Sequence, residues 1–196
     1  MNKFLNKIWL IVFFSLFLLG IFFVGIVYAG TLSCSVTTAA ACVGGTNKVI
    51  LRMSGATNAH AEFPDGLTAA YADNVVCCNG VTGLDTLCSG TFTTVLQLSE
   101  NTNAHVQQVG SYTKSACISV PSGGTVSIGY RAGPDDCSTV PAFDTTLGSM
   151  KATNNSHVGN TTAYTEYKIC GTAAEASASL TFVVFTNNFG SVAPGQ

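Results

Sequence analysis

The sequence is poor in charge. Only 9% of its 196 residues are Asp, Glu, Lys or Arg, against about 25% in an ordinary soluble domain. Lys3 and Lys7 belong to an N-terminal segment considered below. The remaining basic residues, Lys48, Arg52, Lys114, Arg131, Lys151 and Lys168, stand singly, six against ten acidic residues. Phosphate binding needs clustered Lys and Arg, so a nucleic-acid partner is excluded. Signatures of catalysis are missing as well. There is no G-x-S-x-G elbow, no C-x-x-C, and no second cysteine pair at the spacing of a zinc knuckle. Acid–base chemistry needs two carboxylates at a defined separation. Asp135-Asp136 follows Gly133-Pro134 and reads as a solvated turn, with a weak calcium site as the alternative because only two acidic ligands are evident. After residue 30 no apolar 3.6-residue period runs for a helical length. These absences point to a protein that is not an enzyme, has no cofactor, and is all-β outside its first thirty residues.

Long apolar runs are confined to the N-terminus. Lys3 and Lys7 precede Ile8–Val27, which is almost wholly apolar, and Val27-Tyr28-Ala29 has the small-residue spacing of a signal-peptidase site. The run also approaches the ~20 residues that span a bilayer. Residues 1–29 are therefore read as a signal peptide or, if uncleaved, a signal anchor forming an apolar helix. In either case basic residues before the run place the rest of the chain outside. The membrane is a partner only through this segment if it is retained. The segment lacks the acidic residue that follows the processing site of type IV pilins.

All eight cysteines follow residue 30: Cys34, Cys42, Cys77, Cys78, Cys88, Cys117, Cys137 and Cys170. An even number in an exported chain predicts disulfides. Neighbours on a strand face opposite sides, so Cys77 and Cys78 should take different partners.

Self-comparison shows three related stretches. Val49-Ile50-Leu51-Arg52-Met53-Ser54 leads to Thr57-Asn58-Ala59-His60-Ala61. Val95-Leu96-Gln97-Leu98-Ser99 leads to Thr102-Asn103-Ala104-His105-Val106. Thr146-Leu147-Gly148-Ser149-Met150 leads to Thr153-Asn154-Asn155-Ser156-His157-Val158. The last two share a lead-in, Phe92-Thr93-Thr94 and Phe143-Asp144-Thr145. All three histidines fall at the equivalent place. Each copy has a cysteine before its first strand and a tyrosine and cysteine after its histidine. One bridge per copy follows: Cys42 with Cys77 or Cys78, Cys88–Cys117 and Cys137–Cys170, with Cys34 taking the remaining member of the vicinal pair.

Each copy opens with a hairpin, because branched residues flank turns of Gly, Asn and Thr. Further strands are expected at Asn74–Cys78, Ala116–Val120, Thr125–Tyr130, Tyr167–Cys170 and Ser179–Phe185, with Pro121-Ser122-Gly123-Gly124 as a turn and one helical turn at most in Ala173–Ala176. The fold is then a disulfide-stapled β-sandwich or a β-trefoil-like domain with pseudo-threefold symmetry over residues 30–186. Unequal spacing after the histidines favours the sandwich, as does a third copy whose only counterpart of Thr125–Tyr130 is Ser179–Phe185. Residues 187–196, with Phe189-Gly190-Ser191-Val192-Ala193-Pro194-Gly195, resemble the opening of immunoglobulin-like surface domains. They form a tail or the start of a truncated second domain.

The combination of "TNAH" after a strand ending in Ser, "NVVCCNGVTGL" at 74–84 and "SVPSGGTVSIGY" at 119–130 resembles a set of uncharacterised secreted Cys-rich repeat proteins of very small candidate-phylum bacteria. The resemblance covers most of Thr31–Phe185. It implies export and a repeated β-module, and it brings no activity and no functional residues.

Three functions remain open. The first is an extracellular or cell-surface structural or adhesion module with an unidentified partner. The second is a lectin-like carbohydrate- or ligand-binding module, in which Tyr112, Tyr130, Tyr164 and Tyr167 line a face. Buried tyrosines with bonded hydroxyls are the commoner outcome. The third is a metal-binding surface protein, in which His60, His105 and His157 converge as a ligand set that zinc accepts. No carboxylate accompanies the motif to orient the rings. That favours a plainer origin, in which a duplicated unit copies its histidine with its turn and each ring caps or packs on its own hairpin. Asn154-x-Ser156 and Asn160-x-Thr162 match the glycosylation sequon and mean polar loop in a bacterial chain.

Overall fold

The branched and apolar segments after residue 31 pair into antiparallel ladders. The computed structural model describes residues 32–64, 70–121, 124–139 and 142–174. They form three four-stranded sheets with one common strand order. The first sheet holds β1 (Ser33–Thr37), β2 (Lys48–Met53), β3 (Ala61–Glu62) and β4 (Asn74–Asn79), in the order β1-β4-β2-β3. The second holds β5 (Gly83–Asp85), β6 (Thr93–Leu98), β7 (Val106–Gln107) and β8 (Lys114–Ser119), in the order β5-β8-β6-β7. The third holds β9 (Thr125–Ala132), β10 (Thr145–Met150), β11 (Val158–Gly159) and β12 (Tyr167–Ala174), in the order β9-β12-β10-β11. A 3-10 turn covers Cys137–Thr139. Among the described residues no helix is long and apolar enough to cross a membrane.

The common strand order corrects two expectations. Three sheets, not the two layers of a sandwich, make up the domain. Thr125–Ala132 opens the third sheet, so its counterparts are β1 and β5, and it needs no match in Ser179–Phe185. These opening strands are short and polar in the first two sheets, which left the start of each unit without an apolar signal. The expected helical turn at Ala173–Ala176 gives way at Ala173 and Ala174 to the end of β12, which pairs along its whole length with β9. The apolar segment 1–29, Ser179–Phe185 and the tail 187–196 lie outside the described residues.

The second strand of every sheet carries a register shift at the same place, between Val49 and Leu51, Thr94 and Leu96, and Thr146 and Gly148. A bulge adds one residue and turns the next side chain. Here it lets the consecutive residues Ile50-Leu51, Val95-Leu96 and Leu147-Gly148 all be buried. Ile50, Leu51, Met53, Leu96, Leu98, Ile118, Leu147, Met150 and Ile169 fill one core drawn from all three sheets. The shared Phe of the lead-in also has a role. Phe143 lies against Gly129 of β9, and Phe92 lies where a Cβ on Gly83 of β5 would meet its ring at 2.9 Å.

The disulfides join Cys42–Cys77, Cys88–Cys117, Cys137–Cys170 and Cys34–Cys78, the pairs that one bridge per copy predicts. Cys34–Cys78 is a cross-strand pair between β1 and β4. The corresponding positions in the other sheets are Leu84–Ile118 and Ile128–Gly171. The extra bridge therefore stands where the second sheet makes an apolar contact. Four disulfides in an all-β domain of this size mark it as extracellular in type.

The sheets meet at their short third strands in a closed ring. Ala59 bridges Val158, Ala61 bridges Ala104, and Val106 bridges Ser156. Each bridge exchanges two N–H···O bonds of 2.8–3.0 Å. First touches third, first touches second, and second touches third, which defines a pseudo-threefold axis. Small side chains at Ala59, Ala61, Ala104 and Ser156 let the backbones approach.

Candidate metal centre

Strand alternation decides where the histidines point. Ala59 and Ala61, Ala104 and Val106, and Ser156 and Val158 are all buried. The residue between each pair must face the other way, so His60, His105 and His157 all project from the outer side of the ring and are half-buried. Their ring centroids lie 4.8, 4.9 and 5.0 Å apart, a nearly equilateral triangle. His157 Nε2 is 3.1 Å from both His60 Nε2 and His105 Nε2.

The other ring nitrogens are held by the next sheet. His157 Nδ1 donates to Asn58 Oδ1 at 2.5 Å, His105 Nδ1 to Asn155 Oδ1 at 2.6 Å, and His60 Nδ1 to Asn103 Oδ1. This corrects the expectation that each ring serves its own hairpin. The asparagine stands two residues before the histidine in each copy. All three have positive φ, of 47°, 51° and 42° at Asn58, Asn103 and Asn155, a conformation that Asn tolerates in turns. One residue type thus makes the turn and sends its carboxamide across to a neighbouring ring. The sequence shows Asn58, Asn103 and Asn155 plainly, but their turn-forming habit accounts for them without any second role.

Tyr112 Oη donates to Asn155 Oδ1 at 3.2 Å and Tyr164 Oη donates to Asn58 Oδ1 at 3.3 Å. Burial pushes the Tyr164 phenol upward, which keeps it a donor. A carboxamide oxygen only accepts, so the proton of each imidazole sits on Nδ1 and the Nε2 lone pairs turn inward. In this tautomer the Nε2 lone pair of His157 faces those of His60 and His105 at 3.1 Å with no hydrogen between them. Burial first, then the neighbouring His60 and His105, hold His157 below the usual histidine range, favouring the neutral ring that a metal needs.

The three rings offer one ligand atom each, all within 4.8 Å of one another. Zn–N bonds of 2.0–2.1 Å in a tetrahedral site put ligand nitrogens about 3.3 Å apart, close to the 3.1 Å between the two Nε2 pairs. The asparagine carboxamides do the orienting work that a carboxylate does in other histidine sites.

The remaining candidates are dispersed. Tyr130 Oη donates to the Val95 carbonyl at 2.6 Å, and Tyr167 packs against the core. Asp135 pairs with Arg131 at 3.0 Å on an exposed turn. All eight cysteines are bonded. No protein-family model, curated protein or solved structure matches the chain.

Proposed function

We propose that this extracellular-type domain holds one divalent transition-metal ion, zinc or copper, on its pseudo-threefold axis. The observation that carries the reading is the inward-facing set of three Nε2 atoms whose Nδ1 partners are fixed by Asn58, Asn103 and Asn155. An all-nitrogen ligand set of this kind suits zinc and copper over calcium or magnesium, which prefer oxygen. The metal would also tie the three sheets together, because each contributes one ligand. We read the site as a holding site and not a catalytic one. The groups bonded to the imidazoles are carboxamides, two of them also bonded to phenols, and none of these exchanges a proton near neutral pH.

The structural or adhesive role of the exported domain is compatible with this reading, with the metal as the clamp of the module. Nothing favours the sugar-binding alternative, since the hydroxyls of Tyr112, Tyr130 and Tyr164 already have protein partners. Elemental analysis of protein purified without a polyhistidine tag tests the proposal. Near-stoichiometric zinc or copper is expected, with none retained in His60→Ala/His105→Ala/His157→Ala. A wild-type protein that neither carries nor takes up either metal in titration calorimetry overturns it.

A further inference from the structure

The three sheets are not equivalent around the axis. Two of them place a serine six residues before the histidine. Ser54 Oγ accepts from the His60 N–H and Ser99 Oγ from the His105 N–H, both at 3.0 Å. The third sheet has Lys151 at this position, while its serine moves to Ser156 and accepts from the Ala152 N–H. The Lys151 backbone N–H faces the His157 carbonyl at 3.4 Å, as those of Ser54 and Ser99 face the carbonyls of His60 and His105. Lys151 therefore stands at the rim of the histidine triangle on one side only. There an open pocket is lined by His105, Lys151, Ala152, Asn155, Ser156 and His157. The ammonium is paired with Glu166, and both side chains are exposed. Pairing holds the lysine in its charged form and the glutamate below the usual carboxylate range.

We propose that a metal held by the three histidines keeps a coordination position open toward this pocket, and that a small carboxylate-type anion binds there between the metal and Lys151. This rests on the metal reading of the preceding section. Three protein ligands leave one place of a tetrahedral ion unfilled. The ring of buried residues beneath the histidines closes the inner side, so the free position faces solvent. Three neutral imidazoles leave the full charge of the ion uncompensated. The ion attracts an anion, and Lys151 offers its exposed ammonium at this rim once the anion displaces Glu166 as its partner. Ser54 and Ser99 offer no charge on the other two sides, which directs the anion to the third sheet.

Cobalt(II) loaded into the full-length protein provides the probe, because its visible d–d bands respond to the fourth ligand. Acetate and bicarbonate are each expected to shift these bands in a saturable titration. Lys151→Gln should weaken both anions by about fivefold, the scale of an exposed ion pair. Lys151→Arg should restore binding, and Glu166→Gln should strengthen it by releasing the lysine. Light scattering in parallel identifies the source of the carboxylate. Cobalt-dependent dimers whose bands ignore added anion would assign the position to a second copy and overturn the proposal. Bands that ignore both anions in the monomer overturn it too, as does a Lys151→Gln variant with unchanged anion affinity. Failure to take up cobalt at all is a different result, which removes the metal reading itself.

Discussion

The cysteines and the histidines recur with the same period, yet they do opposite things. Three of the disulfides, Cys42–Cys77, Cys88–Cys117 and Cys137–Cys170, each tie a connecting segment to a strand of its own unit, and Cys34–Cys78 joins two strands of the first sheet. The hydrogen bonds of the histidine rings run between sheets. Asn58 of the first reaches His157 of the third, Asn103 of the second reaches His60 of the first, and Asn155 of the third reaches His105 of the second. A duplicated motif can thus be used once for building each unit and again for closing the ring of units. The first use is local to a copy. The second exists only when three copies meet around an axis.

The largest expected effect lies on the within-unit side. Cys88→Ala/Cys117→Ala removes a bridge spanning 29 residues, for which chain entropy gives a loss of about 3–4 kcal/mol. Denaturant unfolding should show the loss, while the native fraction still binds one metal per chain. A variant that is nearly as stable as the parent would mean the bridge adds little to the closed ring.

Next comes a contact between sheets that avoids the histidines. Val95 sits at the bulge of β6, outside the ladder register with β8, and its carbonyl accepts from Tyr130 Oη of β9. Burial raises the Tyr130 phenol well above the usual tyrosine range, so it remains a donor at any physiological pH. Tyr130→Phe should cost about 1–3 kcal/mol, the penalty for a buried acceptor left unpaired, again with metal binding retained. Unchanged stability would show that water replaces the hydroxyl and that this seam is loose.

What the sequence revealed follows the same division. The disulfide rhythm, the hairpins and the strands near Val49, Val95 and Asn74 were legible, because each depends on residues close in one copy. The opening strands Ser33–Thr37 and Gly83–Asp85 were not, since they are short, polar and recognisable only by their partners. Without these strands the repeat starts one strand late, and Thr125–Ala132 then has no counterpart in the first two units. At the site, the equivalence of the three histidines was visible, and their convergence was one of two readings. The partner of each ring was hidden, because Asn58, Asn103 and Asn155 look like ordinary turn residues until the neighbouring sheet arrives. The usual orienting carboxylate was missing, and a carboxamide does the same work.

Asn103→Ala tests the between-sheet use most directly. It frees the His60 ring from its orienting oxygen, and losses of such partners lower metal affinity about 10- to 100-fold. Global stability of the metal-free protein should fall by only about 1–2 kcal/mol, the cost of alanine at the positive φ of Asn103, since the hydrogen bond itself is exposed. The disulfide variant should show the reverse pattern, a large loss of stability and little of affinity. If both variants moved both quantities equally, the distinction between building a unit and closing the ring would fail.

The smallest effect belongs one layer further out. The hydroxyls of Tyr112 and Tyr164 donate to the oxygens of Asn155 and Asn58 that the imidazoles also use. Removing a hydroxyl leaves the histidine bond in place and only lets the carboxamide rotate more freely. Tyr112→Phe and Tyr164→Phe should therefore each lower metal affinity by less than about tenfold, below the range for losing the direct partner. Competition titration against a chelator of known affinity resolves changes of that size. A loss as large as that of Asn155→Ala in the Tyr112→Phe variant would mean that the phenol, and not the turn backbone, fixes the carboxamide. No loss in either variant would mean that the positive-φ turn alone holds it. Comparing the two variants then shows whether the second and third sheets orient their histidine partners by the same means.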